Sequence, residues 1–224
     1  MTRTRLYLFD TTLRDGAQTS GVDFSVEDKR QIALALDELG VDYVEGGWPG
    51  ANPADTVFFA EPPALKHAKF TAFGMTKKSG RSAANDEGLA PVLNAHTAAA
   101  CLVGKAWDYQ VHVALDIPLA DNLTNITESM AAAVTKSREA IFDAEHFFDG
   151  YKANPDYALA ALKAALDGGA RWLVLCDTNG GTLPAETAWI VHEAAKAVGA
   201  DRLGIHTHND TENAVANTLA AIDA

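Results

Sequence analysis

Three features of the sequence predict an α/β fold of repeated βα units around a parallel sheet. Short apolar runs recur about every thirty residues, segments of helical spacing separate them, and polar residues gather after most of the runs. With right-handed crossovers, such units make either an open doubly wound sheet or a closed (β/α)8 barrel of the TIM type. No Gly-x-Gly-x-x-Gly follows the first run, which disfavours a dinucleotide-binding open sheet and with it an NAD-dependent oxidoreductase. Seven units can be counted in the 224 residues, whereas a barrel has eight and typically about 250 residues. The prediction is therefore one catalytic TIM-barrel domain over residues 1–224, with about seven βα units present and the eighth strand missing.

The predicted strands are the runs Leu6–Phe9, Tyr43–Val44, Phe70–Phe73, Ala99–Val103, Ile141–Phe142, Trp172–Cys176 and Leu203–Ile205. The first helix is expected to open at Ser25, with Asp28 three residues on as its capping-box partner. Its buried stripe would be Ile32, Leu36 and Leu39, and Gly40 would end it. Asn154 before Pro155 is the preferred cap and first-turn pair of another helix, which carries Leu159, Leu162 and Leu166 on one face and stops at Gly168 and Gly169. The last helix should run from about Glu212, with Val215, Leu219 and Ile222 aligned.

Composition narrows the function classes. With 48% hydrophobic and 21% charged residues, the chain has enough apolar side chains for one sizeable core. A net charge of -12, with Lys and Arg scattered, argues against a nucleic-acid face, so an anionic substrate must be held by local groups. Cys101 and Cys176 each sit in an apolar run and read as buried, reduced thiols of a cytoplasmic protein. The start, Met1 to Arg5, is charged with no long apolar segment after it, so no signal peptide is expected. No stretch approaches the ~18 apolar residues of a membrane span.

Polar residues cluster after six of the seven strands, as they do at the C-terminal mouth of a barrel. They are Asp10 to Gln18, Glu45 to Gly47, Gly104-Lys105, Asp143 to His146, Asp177 to Asn179 and His206 to Asp210. His206 and His208 are two apart on a strand and share a face, which makes them a ready pair of metal ligands. Asp15, at the mouth of the first strand, is the best candidate for the third ligand. Two His and one carboxylate leave positions open for water or a chelating substrate. Arg14, beside Asp15, suits an oxyanion or a substrate carboxylate, or else a structural ion pair with Glu45. Glu45 and Glu145 are each either catalytic or a counter-charge to Arg14 or Lys105. Thr178 offers its hydroxyl either to a bound carboxylate or to a turn. His67, His96, His112, His146 and His192 suggest surface or supporting roles.

The run Asp10-Thr-Thr-Leu-Arg-Asp-Gly-Ala-Gln18 resembles the first signature of the metal-dependent TIM barrels that condense or cleave acyl-CoA compounds. That group holds isopropylmalate, homocitrate and citramalate synthases, with hydroxymethylglutaryl-CoA lyase and carboxyltransferase domains as relatives. His206-Thr-His-Asn-Asp210 is similar to the family's strand-seven metal motif. Residues 45–53, 142–151 and 175–181 most resemble the citramalate-synthase type.

The resemblance implies that Asp15, His206 and His208 bind a divalent metal (Zn, Mn, Co or Mg). It implies that Arg14 contacts the keto oxygen of a 2-oxo acid, that Glu145 lies beside the substrate and that Thr178 holds its carboxylate. Gln18 and Glu45 would join the substrate site. The implied reaction condenses acetyl-CoA with a 2-oxo acid, pyruvate first, in branched-chain amino-acid biosynthesis by a homodimer. A lyase of the same fold, or a fragment that only binds metal and ligand, is the alternative. The family's eighth-strand motif is not found, which predicts a fragment of a longer protein with unpaired edges on strands one and seven.

Overall fold

The computed structural model describes residues 5–137 and 139–224. The charged start Met1–Thr4, read above as having no leader character, lies outside them. Seven strands form one sheet in the order β1-β2-β3-β4-β5-β6-β7, each pair parallel. They are β1 (Phe9–Asp10), β2 (Tyr43–Gly47), β3 (Lys69–Met75), β4 (Ala99–Lys105), β5 (Glu139–Glu145), β6 (Trp172–Asp177) and β7 (Leu203–Thr207). The helices are α1 (Val26–Leu39), α2 (Pro53–Ala60), the single turns α3 (Ala90–Leu93) and α4 (Asp108–Gln110), α5 (Leu119–Lys136), α6 (Phe147–Ala153), α7 (Pro155–Asp167), α8 (Pro184–Val198) and α9 (Ala214–Asp223). No β1–β7 pairing occurs among the described residues. The sheet nevertheless curls far enough to bring Asp15, just past β1, against His206 on β7. This is a TIM-type barrel of seven βα units with one seam open. No helix among the described residues is long and apolar enough to cross a membrane.

Alternation along each strand sorts the two cores. Outward-facing Val44, Ala72, Leu102, Phe142 and Leu175 pack with the helices into the large outer core, joined by Phe58, Phe147, Phe148 and Leu162. Fully burying a side chain of that size contributes about 1.5–3 kcal/mol. Inward-facing Tyr43, Phe73, Cys101 and Ile141 make a smaller core inside the barrel. Below it, at the strand N-termini, the Tyr43 hydroxyl donates to Glu139 (2.6 Å) and accepts from Trp172 Nε1 (2.9 Å), while Lys69 pairs with Glu139. The chemistry must therefore sit at the other end.

Helix starts follow the expected caps. Asp28 N–H donates to Ser25 Oγ (3.1 Å) and Ser25 N–H to the Asp28 carboxylate (2.9 Å), while Gly40 takes the left-handed φ of 89° that ends α1. Asn154 caps α7 by accepting from Tyr157 N–H at 3.2 Å, with Pro155 in the first turn. Two expectations fail, and one stripe faces outward. β1 covers only Phe9–Asp10; Leu6, Tyr7 and Leu8 are exposed, because the segment has sheet on one side only. In α1, Leu39 is 77% exposed, and the buried line is Lys29, Ala33 and Asp37, with Ile32 and Leu36 packed part-buried beside it. The two charges are buried because each is fully partnered: Asp37 accepts from the N–H groups of Lys66, His67 and Ala68 at 2.7–2.8 Å. In α9, which starts at Ala214, the aligned Val215, Leu219 and Ile222 point outward. The helix turns the opposite face to α8 and β7, with Asn217 fully buried and donating to Thr182 O at 2.7 Å.

Candidate metal centre and active site

The strands extend past their apolar runs, so Glu45, Lys105, Glu145 and Asp177 are still strand residues when they reach the barrel mouth. After β1 the chain makes a tight turn, Arg14 and Gly16 both donating to Thr11 O at 3.1 and 3.0 Å. This turn swings Arg14 and Asp15 over the open end. Across the mouth, the loops after β6 and β7 brace one another. Asp177 accepts from Thr182 N–H (3.1 Å) and Oγ1 (3.0 Å), His208 N–H donates to Asp177 O (3.3 Å), and Thr211 Oγ1 donates to Gly180 O (2.6 Å). Gly180 is required here: its φ is +60°, and a Cβ would lie 2.4 Å from Asp210 Oδ2.

This bracing sets three donors face to face. Asp15 Oδ2 lies 3.4 Å from His206 Nε2 and 3.6 Å from His208 Nε2, and all three ligand atoms fall within 4.8 Å of one another. His208 stands one residue beyond the end of β7, yet still turns to the same side as His206, as the spacing predicted. The imidazoles hold the Asp15 carboxyl well below the usual carboxylate range, and Asp15 in turn raises His208. Two imidazoles and a carboxylate, part-exposed on the open side, fit a divalent ion with vacant positions for a chelating ligand. An ion there replaces the imidazole protons that Asp15 otherwise attracts.

Arg14 makes the ion pair with Glu45 that the sequence offered as one alternative. Its Nε donates to Glu45 Oε2 at 2.6 Å, Nη1 lies 3.3 Å from Asp15 Oδ1, and the guanidinium carbon sits 3.9 Å above the Phe73 ring. Burial opposes its charge, but Glu45 and Asp15 outweigh that and raise its pKa. Nη2 makes no hydrogen bond among the described residues, so it remains free for a ligand. Glu45 is fully buried, and burial pushes its carboxyl up to about 7 against the attraction of Arg14. Its Oε1 has no hydrogen-bond partner among the described residues.

Glu145 pairs with Lys105, so the counter-charge reading of Glu145 is the contact present. Thr178 Oγ1 accepts from His146 N–H at 2.8 Å and keeps its own proton to donate. His146 itself has a left-handed φ of 56°, and its buried Nδ1 lies 3.8 Å from Asp149, too far for a hydrogen bond. Gln18 ends a short turn on the exposed rim, with no side-chain hydrogen bond among the described residues. The structure thus brings Arg14, Asp15, Glu45, His206 and His208 into one contact set and leaves Gln18 outside it. Sequence reasoning placed Asp143 at this end of the barrel without a role and missed Phe73. Asp143 is buried on β5, and its parity with Glu145, two residues on, was the available signal. Phe73, the platform under Arg14, gave no signal beyond its place in an apolar run.

Comparison with known proteins agrees with this fold. The chain is 50% identical over 220 residues to the (R)-citramalate synthase of Aquifex aeolicus, covering 97% of this chain and 42% of that one. It is 31% identical over 223 residues to the 2-isopropylmalate synthase of Solidesulfovibrio magneticus, covering 98% and 42%. The chain therefore spans about two fifths of the length of the curated relatives it matches. Among solved structures, hydroxymethylglutaryl-CoA lyase from Pseudomonas aeruginosa superposes with a TM-score of 0.80 at 20% identity, over 97% of this chain and 73% of that one, which establishes the shared fold. The HMGL-like family model matches residues 5–224, and on that match the chain belongs to the HMGL-like family.

Proposed function

We propose that this chain carries the catalytic barrel of an acyltransferase that joins acetyl-CoA to a 2-oxo acid, pyruvate giving citramalate. The observation that carries the reading is the Arg14 guanidinium, locked between Glu45 and Phe73 and aimed beside the Asp15–His206–His208 trio. The names of the two relatives given above support the same reaction, and the higher identity to the citramalate synthase favours pyruvate over 2-oxoisovalerate.

When bound by Asp15, His206 and His208, a divalent ion supplies Lewis-acid polarisation of the substrate's keto group. The chain's own groups do the rest. Arg14 places fixed positive charge, at Nη1 and the unpaired Nη2, where the keto oxygen gains negative charge as the acetyl methyl carbon attacks. Its rigid seating means that little reorganisation is needed at that moment. The Thr178 hydroxyl, positioned by the His146 N–H, donates to the 2-oxo acid's carboxylate. Glu145, paired with Lys105, lines the far side of the mouth without adding uncompensated charge. Glu45, with a carboxyl near neutrality in pKa, is able to hold a proton toward the site through its unpartnered Oε1. The acetyl methyl group gives up one proton to solvent as its carbon forms the new carbon–carbon bond, the keto oxygen takes up one proton in return, and water hydrolyses the thioester to give the hydroxy-diacid and free CoA.

The test is free-thiol release from acetyl-CoA by the full-length protein with Mn2+, comparing pyruvate, 2-oxoisovalerate and no acceptor. Release that depends on pyruvate supports the reading. Release without acceptor, or with 2-oxoisovalerate alone, overturns it.

A further inference from the structure

Deeper in the barrel than the Asp15–His206–His208 trio lies a second set of ligand-type donors. β6 pairs with β7 so that Cys176 stands beside His206, and β5 pairs with β6 so that Asp143 stands beside Val174, two residues before Cys176. Residues two apart on a strand share a face, so Val174 and Cys176 both turn inward, and Asp143, Cys176 and His206 converge. Their ligand atoms, a carboxylate oxygen, the thiol sulfur and an imidazole nitrogen, all lie within 4.8 Å of one another. Asp143 is 8% exposed and Cys176 6%, so both lie buried within the barrel, while His206 is part-exposed. Cys101, the other buried thiol, is not part of it.

We propose that Asp143, Cys176 and His206 form an inner site for a thiophilic divalent cation, Zn2+ or Cd2+, which shares His206 with the outer trio. The ligand chemistry makes the distinction. A thiolate selects soft and borderline ions, whereas Mg2+ and Mn2+ favour oxygen donors such as the Asp15 carboxylate and water of the thiol-free outer set. Tetrahedral bonds of about 2.0–2.3 Å place donors roughly 3.5 Å apart, so an ion draws these three inward from a spacing already no wider than the limit above. Without an ion, burial and the neighbouring Asp143 keep Cys176 as the thiol. On binding, the sulfur–hydrogen bond breaks, the proton leaves to solvent and the sulfur–metal bond forms, with no change of oxidation state. Since one imidazole serves both sets, an ion in the inner site takes a ligand from the outer one. The barrel thereby distinguishes a thiophilic ion from the harder ions that suit the outer site.

The experiment is a Cd2+ titration of the full chain, read by the ultraviolet thiolate-to-cadmium charge-transfer band, in wild type and in Cys176→Ser, Cys101→Ser and His208→Ala. The expected result is a band in wild type that survives Cys101→Ser, His208→Ala and an excess of Mg2+, but disappears in Cys176→Ser. Cd2+ affinity at the inner site should fall by at least the ~10–100-fold that loss of a mere supporting partner costs a metal site. No band in wild type at saturating Cd2+, a band that persists in Cys176→Ser, or one lost in Cys101→Ser or His208→Ala overturns the proposal. Cys176→Ala serves the same arm if the serine variant does not fold, and Asp143→Asn, which keeps the thiol, should weaken the band's titration without abolishing it. None of these readouts depends on turnover, so the outcome is independent of the synthase reading.

Discussion

Lys29 offers the sharpest test of how the fold builds the site. It is 4% exposed on α1, and its ammonium donates to Leu13 O (2.8 Å) and Gly46 O (3.1 Å) and pairs with Asp55. Leu13 immediately precedes Arg14, and Gly46 immediately follows Glu45, so one buried ammonium ties together the two segments whose side chains make the 2.6 Å Arg14–Glu45 contact. Lys29→Met removes three interactions at once. It also leaves the Asp55 carboxylate, 6% exposed, with only Trp48 N–H (2.9 Å) and Asn52 Nδ2 (3.0 Å) as partners among the described residues, besides its role at the start of α2. Breaking a buried pair by removing one partner costs about 3–5 kcal/mol. For a chain of this size each kcal/mol lowers Tm by roughly 2–4 °C, so the variant should melt about 6–20 °C below wild type. Calorimetric melting at neutral pH measures this. The double variant Lys29→Met/Asp55→Leu should be less damaging than the sum of its singles, by about 0.5–3 kcal/mol of interaction energy. A loss under about 1 kcal/mol, or strict additivity, would refute the reasoning. Among molecules that remain folded, KM for the proposed 2-oxo acid should rise, because Lys29 holds the two segments that carry Arg14 and Glu45.

Other outcomes follow from single features. Glu45 has its pKa raised from 4.5 to about 7, so the folded state holds a proton that the unfolded chain loses earlier. Its contribution is fully present below pH 4.5 and fades as pH rises through about 7. In EDTA-treated protein, urea unfolding should show the Glu45→Gln variant gaining on wild type across that window, and a pH-independent difference would contradict the assignment. Asp37→Ala strands the N–H groups of Lys66, His67 and Ala68, and at about 1–3 kcal/mol for each buried orphan it should lose about 3 kcal/mol or more in the same assay. Gly180→Ala must move Asp210 and strain a φ of +60°, so stability should drop by about 1–3 kcal/mol, and ion affinity at His208 should fall with it. An unchanged melting curve would show that the loop yields freely.

Much of this was legible in the sequence because period and position carry it. The βα alternation fixed seven parallel strands, and the polar residues after the apolar runs marked the mouth where Arg14, Asp15, His206 and His208 gather. The spacing of His206 and His208 sufficed to put them on one side, and barrel curvature brought Asp15 across to meet them. What stayed hidden depends on partners distant in the chain. The buried line of α1 includes Lys29 and Asp37, which a hydrophobic stripe search skips, because only the tertiary structure supplies their partners. The apolar stripe of α9 is legible as a stripe, but its exposure is not, since periodicity does not say which face meets a neighbour. The convergence of Asp143, Cys176 and His206 needs the register of three strands at once. The raised pKa of Glu45 needs its burial, which sequence alone does not reveal.

The central claim is that residues from the two ends of the sheet hold one divalent ion beside Arg14. Calorimetric titration of Mn2+ into the full chain, and into Asp15→Asn, His206→Ala and His208→Ala, tests it most directly. Wild type should bind Mn2+ specifically, and each variant should lose at least ~10–100-fold in affinity with melting behaviour otherwise retained. Wild-type Mn2+ affinity in any of the three variants would contradict it.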